Sequence, residues 1–308
     1  MATLYTHQGR NIRKTWYLMT GFFLLVIAVG WLMSVYLGDP VFLPVAVGIA
    51  IVMNVWSYWY SDTVVIKMTG AKPADPVIHR ELVRAVENLS ITAGLPMPKV
   101  YVVEDPAPNA FATGRNQEHA AVAATTGLIA ILEKSELEGV IAHELAHIGN
   151  RDMLVSTVAV VLVGFLSIIA DIFLRAGHLG GRDRDSKAGG ILLVVAIIGI
   201  ILAPIAGQMI QLAISRKREF LADASGALLT RYPEGLARAL EKIAQNSRPM
   251  ARANNATAHL FIANPFGSAD GGVRSKISAL FATHPPAAER IAILRDMRPE
   301  AGSSDESK

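Results

Sequence analysis

The sequence contains no cysteine. That absence excludes disulfide staples, thiolate zinc fingers and cysteine nucleophiles, and it leaves any metal to histidine and carboxylate ligands. Charge is also scarce. Only 18% of the residues are Asp, Glu, Lys or Arg, against 52% hydrophobic. With a mean hydropathy of +0.36, the chain is too apolar for an ordinary soluble protein and points to membrane segments. Neither sign of charge dominates. A net charge of +3 over 308 residues gives no reason to propose a nucleic-acid partner, and the basic residues cluster at the edges of apolar runs instead. Internal repeats and phosphate-binding loops are lacking as well.

What the sequence does have is four long apolar runs. Residues 16–37 carry no charge and, at about 1.5 Å per residue, are long enough to cross a ~30 Å hydrocarbon core. Gly38-Asp39-Pro40 interrupts them and residues 41–60 follow at once, so a membrane hairpin is expected rather than a cleaved signal peptide, whose apolar core is shorter. Trp56, Tyr58, Trp59 and Tyr60 close the second run as an aromatic belt. Arg10, Arg13 and Lys14 precede the first run and the turn has no basic residue, which places the N-terminus and residue 61 on the cytoplasmic side. Residues 153–174 and 191–214 form the third and fourth runs, around a polar, Gly-rich loop. A pair of buried core helices is the rival reading; both runs exceed the ~18 residues at which spanning is the better one. Arg216, Lys217 and Arg218 favour a cytoplasmic exit, although the mixed charge of the preceding loop weakens that orientation.

Between the runs lies the stretch that carries chemistry. His143-Glu144-Leu145-Ala146-His147 is an H-E-x-x-H. Positions four apart share one face of a helix, so His143 and His147 can direct two imidazoles at one ion while Glu144 reaches a water beside it. Two histidines, one further ligand and an open position describe a catalytic zinc site. The helix is supported by Ser135 and Glu138 as a capping box and by Leu137, Val140, Ile141, Leu145 and Ile148 at helical spacing. The bland alternative is an amphipathic core helix with two satisfied histidines.

The third ligand is sought after the fourth run. Glu219 and Asp223 are four apart and share a helix face. Glu219 supplies the carboxylate of a two-histidine, one-glutamate site, and Asp223 is placed to accept the free ring N–H of a ligating histidine. The alternative pairs them with Arg216 and Arg218 on a solvated helix. Elsewhere, residues 76–90 read as an amphipathic helix stopped at Gly94, and residues 99–103 and 119–126 as strands. One of those strands is either an edge that pairs with an extended peptide or sheet interior. Residues 235–243 read as a helix, residues 246–272 as a long loop gating access, and residues 287–297 as a last helix. His284 is either a donor to a developing oxyanion or a capping or surface histidine.

The combination resembles the HtpX-type integral-membrane zinc metalloproteases of bacteria, related to the CAAX prenyl proteases. The resemblance covers essentially the whole chain. It is carried by Asn109-Ala110-Phe111-Ala112-Thr113-Gly114, by Ala142 to His147, by residues 215–223, and by His284-Pro285-Pro286 with Glu289-Arg290. It implies a mainly α membrane protein with four hydrophobic helices and an α+β gluzincin-like zinc metalloprotease domain. It implies one zinc ion per chain on His143, His147 and Glu219, with Glu144 as catalytic base. Asn109, with Ala110 and Phe111, would contact substrate backbone, and His284 would assist the oxyanion. The implied work is cleavage of damaged or misassembled membrane proteins at the cytoplasmic face of the bacterial inner membrane. Endopeptidase action is expected, because nothing in the sequence recognises a chain terminus. The organisation expected is a tail and hairpin (1–60), the first catalytic part (61–152), the second hairpin (153–214), the second catalytic part (215–300) and a disordered tail (301–308). The runner-up is a multi-span scaffold or transporter with a structural metal. The near absence of charge inside the runs and the lack of a fourth protein ligand argue against it.

Overall fold

The computed structural model describes residues 4–179, 216–267 and 285–297. The fourth apolar run, His284 and the 301–308 tail lie outside the described residues. Helix α1 (Leu4–Leu37) and helix α2 (Phe42–Trp59) form the hairpin. Helix α3 (Ser61–Thr69) was not expected, and it leads into a two-residue strand β1 (Lys72–Pro73). Helix α4 (Arg80–Ala93) starts later than the sequence suggested, because Asp75 accepts from the N–H groups of Val77 and Ile78 and turns the chain first. It ends at Gly94, whose φ of 66° is left-handed and suits glycine at that stop.

Strands β2 (Lys99–Val103), β3 (Ala110–Gly114) and β4 (Ala120–Thr125) complete a four-stranded sheet of order β1-β2-β4-β3. β2 and β4 are parallel, and β3 runs antiparallel to β4, with Phe111 opposite Ala123. β3 is therefore at the sheet edge. A short helix α5 (Thr126–Ile131) follows, capped by Thr125 Oγ1, which accepts from Leu128 N–H at 3.1 Å. Next come the metal-motif helix α6 (Lys134–Gly149), helix α7 (Asp152–Leu179), helix α8 (Arg216–Thr230), helix α9 (Pro233–Gln245) and helix α10 (Ala287–Asp296).

Side chains alternate across a strand, and the sheet uses both faces. Ala110, Ala112, Val122 and Ala124 join Val140, Ile141 and Leu145 of α6, Leu82 and Val86 of α4, and Leu236 and Leu240 of α9 in the main core. Val103, Phe111 and Ala123 face the other way, onto Val65 of α3 and onto Phe261. Phe111 and Phe261 meet edge to face, with ring centroids 5.1 Å apart. The stretch expected to be a long gating loop is irregular but packed over residues 246–267: Met250, Ala256, Leu260 and Phe261 are buried.

A separate cluster joins α1 (Leu18, Phe22, Val26), α2 (Ala46, Ala50, Met53) and α7 (Leu154, Val158, Leu162, Leu166). Among the described residues, Gln8–Tyr36 and Phe42–Trp59 are long and apolar enough to cross a membrane. Of the four hydrophobic helices expected, these two are found, and the fourth lies outside the described residues. A third span arises only if α6 and α7, bent by 81° at their junction, count as one, and α6 is occupied in the core.

Candidate metal centre

Helix α6 begins two residues earlier than Ser135 would place it. Glu133 and Glu136 form its capping box, with Glu136 Oε2 accepting from Glu133 N–H at 2.8 Å and from Lys242 Nζ at 2.7 Å. Nor is the helix one-sided. Leu137, Val140, Ile141, Ala142, His143, Glu144, Leu145 and Ile148 are all buried, so sheet, α4, α8 and α9 surround it.

The 3.6-residue period stacks His143 over His147, and their Nε2 atoms stand 3.2 Å apart. Helix α8 brings Glu219 opposite them: Oε2 is 3.8 Å from His143 Nε2, and Oε1 is 3.6 Å from His147 Nε2. One ligand atom from each of the three lies within 4.8 Å of the others. Donors bound at about 2.1 Å around one tetrahedral ion stand roughly 3.4 Å apart. The set thus has the donor chemistry and the spacing for one ion, and His147 and Glu219 remain 14% and 10% exposed on its open side.

Each histidine is held from behind by a carboxylate. His143 Nδ1 is 2.9 Å from Asp223 Oδ1. His147 Nδ1 is 3.1 Å from Asp152 Oδ2. Asp223 is itself gripped by Arg290 of α10, which donates from Nε at 2.8 Å and from Nη2 at 2.6 Å. Arg218 turns to Asp152, at 3.3 Å, so the solvated pairing of Glu219 and Asp223 with Arg216 and Arg218 is not what forms.

Electrostatics follow from that packing. Burial, with Arg290 adding to it, lowers His143 to about 4 against the pull of Asp223. At His147 burial is outweighed by Asp152, Glu219 and Glu144, which raise it to about 9. Burial pushes Glu144 up to about 7, with Glu219 adding to the rise; His147, Arg290 and an Ala112 N–H donated to the carboxylate resist it. Burial would raise Asp223, but His143 and Arg290 prevail and hold it at about 2.

Residues 76–298 match the profile of peptidase family M48. The chain belongs to that family. Among M48 relatives, the protease HtpX homologue of Caldanaerobacter subterraneus subsp. tengcongensis is 45% identical over 301 residues, covering 96% of this chain and 98% of its own. That of Tropheryma whipplei (strain Twist) is 45% identical over 297 residues, with 96% and 98% covered. The crystal structure of S. mikatae Ste24p aligns at a TM-score of 0.48 and 18% identity, over 94% of this chain and 66% of that one. As an M48 member of the HtpX type, the chain is a membrane-bound metalloprotease.

Within this M48 site the structure brings together His143, Glu144, His147, Glu219 and Asp223. Asn109 is buried, and its amide is already engaged: Nδ2 donates to Ala263 O at 2.9 Å and Oδ1 accepts from Ala263 N–H at 3.1 Å. Ala110 O accepts from Ile262 N–H at 2.9 Å, and the Phe111 ring is in the core. Their expected contact with substrate therefore cannot run through the Phe111 side chain. Two residues went unassigned by sequence reasoning. Arg290 belongs to the Glu289-Arg290 pair, but its burial and its partner Asp223 are visible only in the fold. Asp152 lies five residues beyond His147, and no periodic signal singles it out.

Proposed function

We propose that the protein is a zinc-dependent endopeptidase in which His143, His147 and Glu219 hold the ion and Glu144 is the general base. The observation that carries this reading is the convergence of two Nε2 atoms and one carboxylate within 4.8 Å, beside a second carboxylate, Glu144, raised to about 7. A base poised near the working pH transfers protons best in both directions. Zinc suits the mixed nitrogen and oxygen donors, and when bound it supplies Lewis acidity that activates water and polarises a carbonyl. Glu144 takes the proton of the attacking water and returns it to the leaving amine. Asp223 and Asp152 keep Nδ1–H on both histidines, so each Nε2 lone pair faces the ion.

An extended peptide is proposed to lie along the edge of β3, displacing residues 262–263 from Ala110 O and Asn109, where main-chain groups pair with an added strand. Asn109, Ala110 and Phe111 would serve it through backbone groups and through the Asn109 amide, which would exchange its two-point bracket on Ala263 for the same bracket on a substrate peptide unit. His284 is carried as an oxyanion donor on the resemblance alone. The substrates proposed are damaged or misassembled membrane proteins, cleaved at the cytoplasmic face of the inner membrane, with the N-terminal hairpin and the catalytic parts organised as the sequence divides them.

The test is cleavage of casein or a membrane-protein substrate by detergent-purified protein, wild type beside Glu144→Gln, with and without added zinc. Cleavage should require both zinc and Glu144, while the variant keeps its metal. A Glu144→Gln protein as active as wild type would remove Glu144 as the base.

A further inference from the structure

Three elements meet on the Asp152 carboxylate. Oδ2 faces His147 Nδ1 at 3.1 Å. Oδ1 accepts from Asn11 Nδ2 of helix α1 at 2.6 Å, and Arg218 Nε of α8 stands 3.3 Å from the same oxygen. Asp152 is also the first residue of α7. The same turns of α1 brace the elbow between α6 and α7. Asn11 Nδ2 also lies 3.1 Å from Asn150 O, and Gln8 Nε2 donates to Gly149 O at 2.7 Å. Within that elbow Arg151 has a φ of 56°, a left-handed conformation that persists for a non-glycine only where its surroundings fix it. Asn11 and Asp152 are 3% and 4% exposed, so water does not replace their hydrogen bond cheaply.

We propose that Asp152 is a positioning residue for the metal centre, and that the first membrane helix sets the direction of His147 through the chain Asn11–Asp152–His147. The proposal rests on the assignment of His143, His147 and Glu219 as ligands. A carboxylate on Nδ1 fixes the tautomer and the ring plane of a ligating histidine. For His143 that task falls to Asp223, held by Arg290 within the catalytic core. For His147 it falls to a carboxylate whose own place is set by the membrane bundle. A rotation or shift of α1 against α7 is thereby felt by one ligand of the three, which couples bundle packing to metal affinity.

The experiment uses the full chain in detergent. Zinc affinity is measured by competition with a chromophoric chelator, ligand geometry by the absorption spectrum of the cobalt-loaded protein, and stability by thermal unfolding. Asn11→Leu keeps the side-chain size, removes the donor and touches neither the ion nor a ligand. It should weaken zinc binding about threefold to tenfold, the size of one ordinary net hydrogen bond felt at the ligand. Asp152→Asn should weaken it about 10- to 100-fold, and both should change the cobalt spectrum. The double variant should be no weaker than Asp152→Asn alone, since residues in one chain of contacts are not additive. Wild-type affinity and spectrum in both variants would overturn the proposal. So would full additivity, or an Asn11→Leu protein that loses only thermal stability. If Asp152→Asn does not fold, Asn11→Leu still decides the matter, because it leaves every charge of the Asp152–Arg218–His147 cluster in place. A wild type that takes up neither zinc nor cobalt would instead bring down the ligand assignment beneath it.

Discussion

Arg290 grips Asp223 through two hydrogen bonds, from Nε at 2.8 Å and from Nη2 at 2.6 Å, and both residues are buried. The guanidinium fork matches the carboxylate in a way that a lysine cannot. The last helix, α10, thus fixes the carboxylate that fixes His143. Arg290→Ala leaves a buried negative charge without its partner and should cost roughly 3–5 kcal/mol. Arg290→Lys should recover only part of that in denaturant unfolding.

The same pair has a pH signature. Asp223 is held at about 2, below its ordinary 3.8. A depressed carboxylate contributes stability that is present above the unfolded value and lost as pH falls through the folded one. Without Arg290 the folded value rises, so acid unfolding of Arg290→Lys should begin at a higher pH than in wild type. An unchanged acid midpoint would show that Arg290 does not stabilise the ionised form of Asp223.

Metal uptake should release protons. In the metal-free protein His147 is raised to about 9 and Glu144 to about 7, while His143 is lowered to about 4. At pH 7 only His147 of the two histidines carries a proton that must leave, so binding should release about one proton from it, plus the fraction on Glu144. Affinity should accordingly fall as pH drops below about 9. Titration calorimetry in buffers of different ionisation enthalpy measures that number, and Glu144→Gln should reduce it without abolishing it.

Glu219 is the only non-histidine member of the three-residue cluster. Glu219→Ala should lose stoichiometric zinc and all cleavage. Full occupancy by elemental analysis would strike Glu219 from the ligand set.

Helix α8 reaches the metal helix through a glycine. A Cβ on Gly226 would lie 3.0 Å from His143 N and 3.2 Å from Ala142 C, and backbone gives way less readily than a side chain. Gly226→Ala should push α8, and Glu219 with it, away from the histidines. A loss of about 1–3 kcal/mol with weaker zinc binding is expected, read by thermal unfolding and chelator competition.

Local signals in the sequence pointed to the membrane hairpin and to strands over residues 99–103 and 119–126, the second of which runs over Ala120–Thr125. They also gave the Gly94 stop, and they placed His143 and His147 on one helix face. Run length, period and capping chemistry are properties of neighbouring residues, so they survive without a fold. Glu219 and Asp223 were legible as a pair four apart, but the sequence alone left a solvated helix open. Their burial against α6 is what turns them toward the histidines.

Only the tertiary structure could decide the rest. That β3 lies at the sheet edge depends on the order β1-β2-β4-β3, which no single strand encodes. Arg290 finds Asp223 across 67 residues, and Asn11 finds Asp152 across 141. Contacts of that span are set by which helices pack together, because burial removes water as the competing partner and leaves each charge or amide only the neighbour the packing provides. The sequence determined by itself that two histidines could face one ion. The packing of α1, α8 and α10 around α6 determined which residues hold those histidines in place.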